Sequence, residues 1–195
     1  MFCKSASPRA ALRRADRQAF SSTAKLHHVT PLPAGTTIEA AIEKLQNHDL
    51  LIHLDPELHS YETLPSDDAA PNTKRYKVTD HMHALPKGLW DSTVTFESQI
   101  TNTEDGVLWV IKAPLGLVQQ TKWTITRNAD VGKGKEKAVD EGKSTEAKNE
   151  WSLVEEVEIK ASRLLVGTVK GKCEENWRGI HSRFVGHLQG VPVKA

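Results

Sequence analysis

Two acidic residues occupy strand positions that are otherwise apolar. Asp80 follows Val78 by two residues, and Glu155 follows Leu153 in the same way. Because alternate residues of a strand point to one face, each carboxyl group would share an apolar environment. Burial raises a carboxyl pKa, so such a group can act as a general acid or base, or can anchor a ligand hydroxyl or amine. Asp80 and Glu155 are therefore the candidate catalytic residues.

Both acids also have a purely structural interpretation. Each could pair with an internal Lys, Arg or His, or could lie in water at a strand edge. Lys122 and Arg127, in the strand pattern 117–127, are the candidate cationic partners. If Trp123 points inward, however, Lys122 points outward, and only a bulge would reverse this.

The histidines and glycines predict no metal or phosphate site. His81 and His83 form an HxH pair on one strand face, but no acidic ligand follows at a suitable spacing. The glycines of the segment 132–135 lack a preceding apolar strand and a following Ser or Thr at the required spacing. The chain also contains no GxSxG motif. We expect no metal, no cofactor and no nucleophilic hydrolase chemistry.

Aromatic and hydroxyl side chains are the other candidates for contact with a ligand. Tyr76 and Ser98 could supply hydroxyl groups, whereas the tryptophans offer flat apolar surface or simply fill the core. These tryptophans are Trp109, Trp123, Trp151 and Trp177. The turn 86–91 carries Leu89 and Trp90, which could form a pocket gate or a tip that touches membranes transiently.

The chemistry-bearing residues belong mostly to segments with strand periodicity. Asp105 and Gly106 form a hairpin signal between two of these segments, and the other connections are also short, so antiparallel pairing is expected. The predicted strands are residues 25–33, 59–64, 75–85, 92–101, 107–114, 117–127 and 150–161.

Helical periodicity is found in three segments. Residues 36–48 begin with a capping box, Thr36 and Glu39, and residues 49–59 form a second helical segment broken by Pro56. Residues 162–189 form a long helix whose glycines suggest close backbone packing. Its apolar stripe is Val166, Val169, Cys173, Trp177, Ile180, Phe184 and Leu188, and its opposite side is Lys170, Lys172, Glu175, Arg178 and His181.

This order of elements predicts an α+β fold with a cavity. A long amphipathic helix after an antiparallel sheet must bury its stripe against that sheet. A strongly curved sheet cannot meet a straight helix along its whole length, so an apolar hollow remains between them. Such hollows bind apolar ligands.

Composition limits the classes of function. The 195 residues have a net charge of +1, which does not suit a dedicated nucleic-acid binder. No stretch is apolar enough to cross a bilayer. The two cysteines, Cys3 and Cys173, lie far apart, which indicates a reducing compartment. We expect a protein that is neither secreted nor transmembrane, present as a monomer or weak dimer.

The two ends and one internal segment differ from the rest. Residues 1–24 are rich in Arg and Ser and poor in acids, which is typical of a disordered basic leader or a mitochondrial transit peptide. The compartment is therefore cytoplasmic or mitochondrial. Residues 128–149 form a charged, glycine-containing insert expected to be a mobile loop, and 191–195 form a tail.

Four phrases of the sequence carry a family resemblance: HHVTPLPAG at 27–35, HDLLIHLDPELHSYE at 48–62, YKVTDHMHALPKGLW at 76–90 and VIKAPLGLVQQTKWTI at 110–125. Over residues 25–190 the chain resembles the START-like, or helix-grip (SRPBCC), superfamily, and within it small fungal START-like proteins. That superfamily includes lipid-transfer domains, pollen-allergen-like plant proteins, polyketide aromatase/cyclases and coenzyme-Q-binding proteins.

The resemblance implies a helix-grip fold: a curved antiparallel sheet of about seven strands, two short helices and a long C-terminal helix around a cavity. It favours binding or carriage of a hydrophobic molecule such as a lipid, sterol, quinone or polyketide. The alternatives are a cofactor-free cyclase or isomerase of a polyketide or terpenoid, using Asp80 or Glu155, and a ligand-free interaction domain. The predicted ligand contacts are Tyr76, Val78, Asp80, Met82, Phe96, Ser98, Trp109, Trp123, Leu153, Glu155, Cys173, Trp177, Ile180 and Phe184.

Overall fold

The computed structural model describes residues 21–65, 70–82, 92–128, 130–131 and 150–190. Within these ranges the chain forms seven strands and three α-helices. The strands are β1 (Ser21–Pro31), β2 (Leu58–Leu64), β3 (Thr73–Met82), β4 (Ser92–Thr103), β5 (Gly106–Ala113), β6 (Leu117–Arg127) and β7 (Trp151–Ser162). The helices are α1 (Ile38–Leu45), α2 (His48–His53) and α3 (Arg163–Leu188).

Several predicted features lie outside the described residues. These are residues 1–20 of the leader, the turn 86–91 with Leu89 and Trp90, most of the insert (129 and 132–149) and the tail 191–195. The side chain of Met82 lies outside them as well, and so does His83.

The strands form one curved antiparallel sheet. Their order is β1-β7-β6-β5-β4-β3-β2, so five of the six neighbouring pairs are consecutive in sequence and β1 joins the far edge beside β7. Helix α3 packs mainly on β1 and β7, at that same edge. The predicted fold class, an antiparallel sheet that grips a long C-terminal helix, is confirmed.

The first strand begins earlier than the sequence pattern indicated. Ser21 pairs with Ser162 and Ala24 pairs with Ile159, so residues 21–24 belong to β1 although they were assigned to the basic leader. Their composition of Ser, Thr and Ala resembled the leader, whereas pairing with β7 decides their conformation.

The start of α1 corrects a second prediction. The N-cap is Thr37, not Thr36: its backbone is extended and its side chain accepts a hydrogen bond of 3.2 Å from Ala40 N. Two adjacent threonines can both satisfy a capping pattern, and the preceding turn, with Gly35 at φ +81°, selects the second one.

The β4–β5 hairpin depends on a glycine for space. Gly106 pairs with Thr103 and lies against β6, where a Cβ would come within 2.0 Å of the carbonyl oxygen of Trp123. Only a residue without a side chain allows this approach. Gly106 is therefore needed for the close packing of β5 on β6 as well as for the turn.

The glycines of α3 have a different role from the one expected. A Cβ placed at Gly167, Gly171 or Gly179 would meet nothing within 4 Å. The expectation of close backbone packing is therefore wrong at these three positions, because they face open space.

The predicted apolar stripe of α3 does reach the core. Phe184 is fully buried in the main cluster with Trp123 and Leu153, whereas Val166 packs with Leu26 and Ile159 in a smaller cluster beneath the start of the helix. None of the described helices is long and apolar enough to cross a bilayer.

Candidate functional site: a cavity between the sheet and the last helix

A cavity of about 660 Å³ lies between the inner face of the sheet, α2 and α3. This volume is within the range of small-molecule sites in proteins. The sheet contributes mostly apolar and aromatic side chains to its wall, including Val94, Phe96, Trp109 and Ile111. The predicted hollow is therefore present, and its lining suits an apolar ligand.

Half of the predicted ligand contacts line this cavity: Val78, Asp80, Phe96, Trp109, Trp123, Glu155 and Ile180. Six others are described but lie elsewhere: Tyr76, Ser98, Leu153, Cys173, Trp177 and Phe184. They share the inner strand parity or the apolar stripe of α3, yet they do not line the void: four are buried in the core, and Cys173 and Trp177 are partly exposed.

The orientation of α3 explains part of this difference. Because the helix lies over β1 and β7, its apolar stripe meets those strands. The adjacent, more polar flank also looks into the cavity, with Thr168, Lys172 and Asn176 in the wall beside the stripe residues Val169 and Ile180. Lys172 had been assigned to the side away from the sheet.

Glu155 is held by donors from three elements. On β6, Trp123 Nε1 donates to Glu155 Oε1 at 2.9 Å, and on β1, His28 Nδ1 lies 2.7 Å from Oε2. Both residues are direct cross-strand neighbours of Glu155. From α3, His181 Nε2 lies 3.4 Å from Oε2 without making an aligned hydrogen bond.

These donors decide the charge of Glu155. Burial alone would raise the pKa of its carboxyl group, but contacts with His181, His28 and Trp123 outweigh burial and hold the pKa below its ordinary value. Glu155 is thus an ion at neutral pH whose oxygen atoms are already engaged. Of the two structural interpretations raised by the sequence, pairing with internal histidines is the one found.

His181 is a residue that the sequence placed wrongly. It is only 1% exposed, although the helical pattern assigned it to the solvent side of α3. Its ring packs at right angles to Trp177, and Thr30 Oγ1 lies 2.7 Å from its Nδ1. Histidine suits both water and a polar pocket, so periodicity could not reveal a partner on another element.

His28 was missed for the same reason. Its ring stacks on Trp177, with centroids 4.5 Å apart and planes 5° from parallel. Its Nε2 lies 3.4 Å from Glu174 Oε2 on α3. The pair of histidines therefore ties β1 and α3 to the same carboxylate.

Asp80 has a different environment. It lies at the end of the cavity formed by β3 and the α2–β2 connection, together with Asp55 and Glu57. Burial, followed by the negative charges of Asp55 and Glu57, raises the pKa of Asp80 to about 7. Its Oδ1 is withdrawn from solvent and bonds to no described group.

The surroundings of Asp80 offer it little positive charge. Burial also raises the pKa of Asp55. A hydrogen bond from Glu57 N to Asp55 Oδ1 and the positive charge of Arg183 act in the opposite direction and lower that pKa, but they do not outweigh burial. Arg183 itself donates to the Leu54 carbonyl at 2.9 Å. His81, also in the cavity wall, lies 3.1 Å from a ring nitrogen of His59.

Tyr76 and Ser98 use their hydroxyl groups inside the protein. Burial lowers the pKa of His48, whose Nε2 lies 2.7 Å from Asn102 Oδ1 and whose Nδ1 lies 2.8 Å from the Tyr76 hydroxyl. In this neutral ring Nε2 donates to Asn102, and the Tyr76 hydroxyl donates to Nδ1. Ser98 Oγ accepts a hydrogen bond from Trp109 Nε1.

The predicted cationic partners pair elsewhere. Lys122 points outward, as its parity required, and lies 3.8 Å from Asp105, whereas Arg127 lies 3.3 Å from Glu150. Neither neutralises a cavity acid.

Burial sets the protonation state of the Cys173 thiol. Burial raises the pKa of the Cys173 thiol to about 12, so it stays protonated at neutral pH. No group of three His, Cys, Asp or Glu side chains in the described part of the chain is arranged to hold a metal ion.

The part of the sequence that forms the sheet and the helices matches one family model. Residues 21–190, from the start of β1 to just beyond α3, match the domain of unknown function DUF7053. The chain belongs to the DUF7053 family. The match includes residues 21–24, in agreement with their place in β1. No curated protein matches the chain.

Solved structures with the same architecture place DUF7053 in the helix-grip fold. The di-domain aromatase/cyclase BexL of the BE-7585A biosynthetic pathway has a TM-score of 0.58 at 10% identity, over 87% of this chain and 51% of that one. The Zhui aromatase/cyclase from a Streptomyces species, strain R1128, has a TM-score of 0.54 at 9% identity, over 87% and 94% of the two chains. Ara h 8.0201 has a TM-score of 0.50 at 15% identity, over 87% and 99%.

At these identities the likeness concerns the fold. The DUF7053 chain spans about half the length of the di-domain protein BexL.

Proposed function

We propose that this protein binds, and carries, a hydrophobic small molecule in the cavity between the sheet and α3. The observation that carries the proposal is a void of about 660 Å³ with mostly apolar walls between the curved sheet and α3. Burying an apolar ligand contributes about 25 cal/mol per Å² removed from water, so affinity needs no special chemistry. Lipids, sterols, quinones and polyketides all belong to this class of ligand. The resemblance to small fungal START-like proteins is part of the same proposal.

The first test is extraction of the purified protein with organic solvent, followed by mass spectrometry, together with titration against a panel of fluorescent lipids. A co-purified hydrophobic compound, or saturable binding of at least one probe, is expected. An empty extract with no binding to any probe contradicts the proposal.

A pair of variants on β4 makes the test specific for the cavity. Val94 lines the void, whereas its neighbour Thr93 is exposed on the other face of the strand. Val94→Trp should fill part of the space and weaken binding by about tenfold or more, whereas Thr93→Trp should leave it unchanged. Equal affinity in both variants would place the binding site elsewhere.

A second candidate function is supported by Asp80. A carboxyl group with a pKa of about 7 beside an apolar void suits a general base that removes a proton next to a carbonyl group. Glu155 suits this role poorly, because its oxygen atoms are engaged and its pKa is lowered. A cofactor-free cyclase or isomerase would therefore depend on Asp80.

This candidate can be tested with a model ketone. Exchange of the α-protons of 2-tetralone into D₂O, followed by NMR, should be accelerated by the wild type and lost in Asp80→Asn. An unchanged exchange rate in that variant would leave the protein as a carrier.

The third alternative is a ligand-free interaction domain that uses the charged insert or the leader. A packed interior would favour it, and the space between α3 and the sheet is open.

A further inference from the structure

The two cavity acids differ in how much of their hydrogen-bonding capacity remains for a ligand. Glu155 receives donors on both oxygen atoms from Trp123 and His28. Asp80 borders the same cavity, and its Oδ1 has no hydrogen-bond partner among the described residues. Of the two, Asp80 is the acid that keeps an unpaired acceptor, although that oxygen is itself withdrawn from solvent.

A buried acceptor without a partner is expensive to maintain. Leaving a polar group unpaired in the interior forfeits its hydration, and the cost is larger for a charged group. A residue of this kind at the border of a ligand-sized void marks a place where a ligand donor can supply the missing partner. Replacing Asp80 by an apolar residue would remove the cost, so its presence points to recognition.

The acidic residues around Asp80 indicate which charge the ligand group can carry. Asp55 and Glu57 lie in the same part of the cavity wall as Asp80. The basic groups nearby are His81, which follows Asp80 on β3 and is engaged with His59, and Arg183 on α3, which is engaged with the Leu54 carbonyl. Lys172 of α3 also lies in the cavity wall, and it pairs with Glu175 on its own helix. An anionic head group would meet three acids here, whereas a hydrogen-bond donor would meet an acceptor.

We propose that Asp80 selects hydrophobic ligands that carry a hydrogen-bond donor, a hydroxyl group or a protonated amine, and excludes those that carry a carboxylate or phosphate. The ligand lies along the apolar wall formed by β4 and β5, with its donor at the Asp80 end. This inference rests on the proposed cavity function and narrows the ligand class within it.

The test uses four probes with one naphthalene skeleton, titrated at pH 8 by calorimetry. These are 2-naphthol, 2-(aminomethyl)naphthalene, 2-naphthoate and 2-methoxynaphthalene, which lacks a donor. In the wild type, the naphthol or the amine should bind about tenfold more tightly than the methoxy compound, as expected for one hydrogen bond to a charged group. The naphthoate should bind more weakly than the methoxy compound.

Three variants assign the preference to Asp80. Asp80→Leu should abolish the difference between donor probes and the methoxy compound while keeping binding of the latter. Asp80→Asn keeps an acceptor but no charge, so it should retain a preference for naphthol and lose one for the amine. Glu62→Gln removes an exposed acid on β2 and should change nothing.

The outcomes separate this inference from the proposed function. If no probe binds the wild type, and the solvent extract is empty, the cavity function itself fails. If the probes bind with no preference for a donor, or if the preference survives Asp80→Leu, the cavity function stands and the role of Asp80 is overturned. A stronger preference for the amine than for naphthol would identify hydrophobic amines as the ligand class, and the reverse would identify alcohols or phenols.

Discussion

Glu155 and His28 stand directly opposite each other on β7 and β1, with Oε2 of the carboxylate 2.7 Å from Nδ1 of the ring. The pair joins the edge strand β1 to its neighbour β7 in the sheet. Because His28 also stacks on Trp177 of α3, the same contact connects the sheet edge to the helix that closes the cavity.

Removing the charge of Glu155 should weaken this connection. Glu155→Gln replaces an acceptor by an amide that cannot satisfy both Trp123 and His28, so one buried donor is left unpaired. We expect a loss of about 2–3 kcal/mol in the free energy of unfolding, measured by urea denaturation. Glu156→Gln, at the exposed next position of β7, is the matched control and should be neutral. Equal stability of the two variants would show that the buried contacts of Glu155 contribute little.

Asp80 should make stability depend on pH in the opposite direction from Glu155. The pKa of Asp80 rises from 3.8 to about 7 on folding, so its contribution is fully present below about pH 4 and is lost as the pH rises towards 7. The pKa of Glu155 is lowered, so its contribution is present above 4.5 and is lost at lower pH, as the pH falls through the folded-state pKa.

The variant Asp80→Asn isolates the first of these effects. At pH 8 it should be more stable than the wild type by about 1 kcal/mol once partial exposure is allowed for, or roughly 2–4 °C in Tm. At pH 4 the difference should vanish, and Asp55 contributes equally to both proteins. Thermal melts at several pH values measure this, and a constant difference across the range would contradict it.

Tyr76 should prove structural. Tyr76→Phe removes the donor to His48 Nδ1 and leaves a buried ring nitrogen unpaired, so we expect a loss of about 1–2 kcal/mol in the free energy of unfolding. Binding of the naphthalene probes should not change, because Tyr76 does not line the cavity. The control is Tyr61→Phe, whose hydroxyl donates to the exposed Asp49 and should matter less. A change in probe affinity on Tyr76→Phe would instead restore Tyr76 as a ligand contact.

Two glycines should respond to alanine with opposite signs. At Gly106 the new Cβ would clash with the carbonyl oxygen of Trp123, and we expect a loss of at least about 2 kcal/mol. At Gly171, in α3, a Cβ meets nothing, and the gain in helix propensity should stabilise the protein by about 0.5–1 kcal/mol. Urea denaturation of both variants checks the pair, and destabilisation by Gly171→Ala would reveal a contact of α3 that its open surroundings do not show.

The sequence predicted the order of elements because strand alternation and helix periodicity are local properties. It placed Asp80, Phe96 and Trp123 on the inner face correctly, since parity alone decides that face. It failed where an outcome depends on two elements far apart in the chain. His28 and His181 meet at Glu155 only after β1 and α3 have packed on β7, and no periodicity encodes that meeting.

The sequence could not predict which side of α3 faces the cavity, for a similar reason. Periodicity identified the apolar stripe but not the part of the sheet that it would meet. Because the stripe meets the edge strand β1 and its neighbour β7, residues such as Thr168 and Lys172 line the cavity, whereas Cys173 and Trp177 are withdrawn from it. Ser98 and Leu153 also lie outside the cavity lining and are fully buried in the core.

The position of β1 beside β7 has a consequence for biosynthesis. During translation β1 leaves the ribosome before the other described elements, yet its partner, which pairs Ser21 with Ser162, is completed only after β6. The nascent chain therefore carries an unpaired strand while most of the sheet is assembled. Long-range pairing of this kind slows folding and exposes the strand to other chains, so the ribosome-bound intermediate is the stage at which chaperones would act.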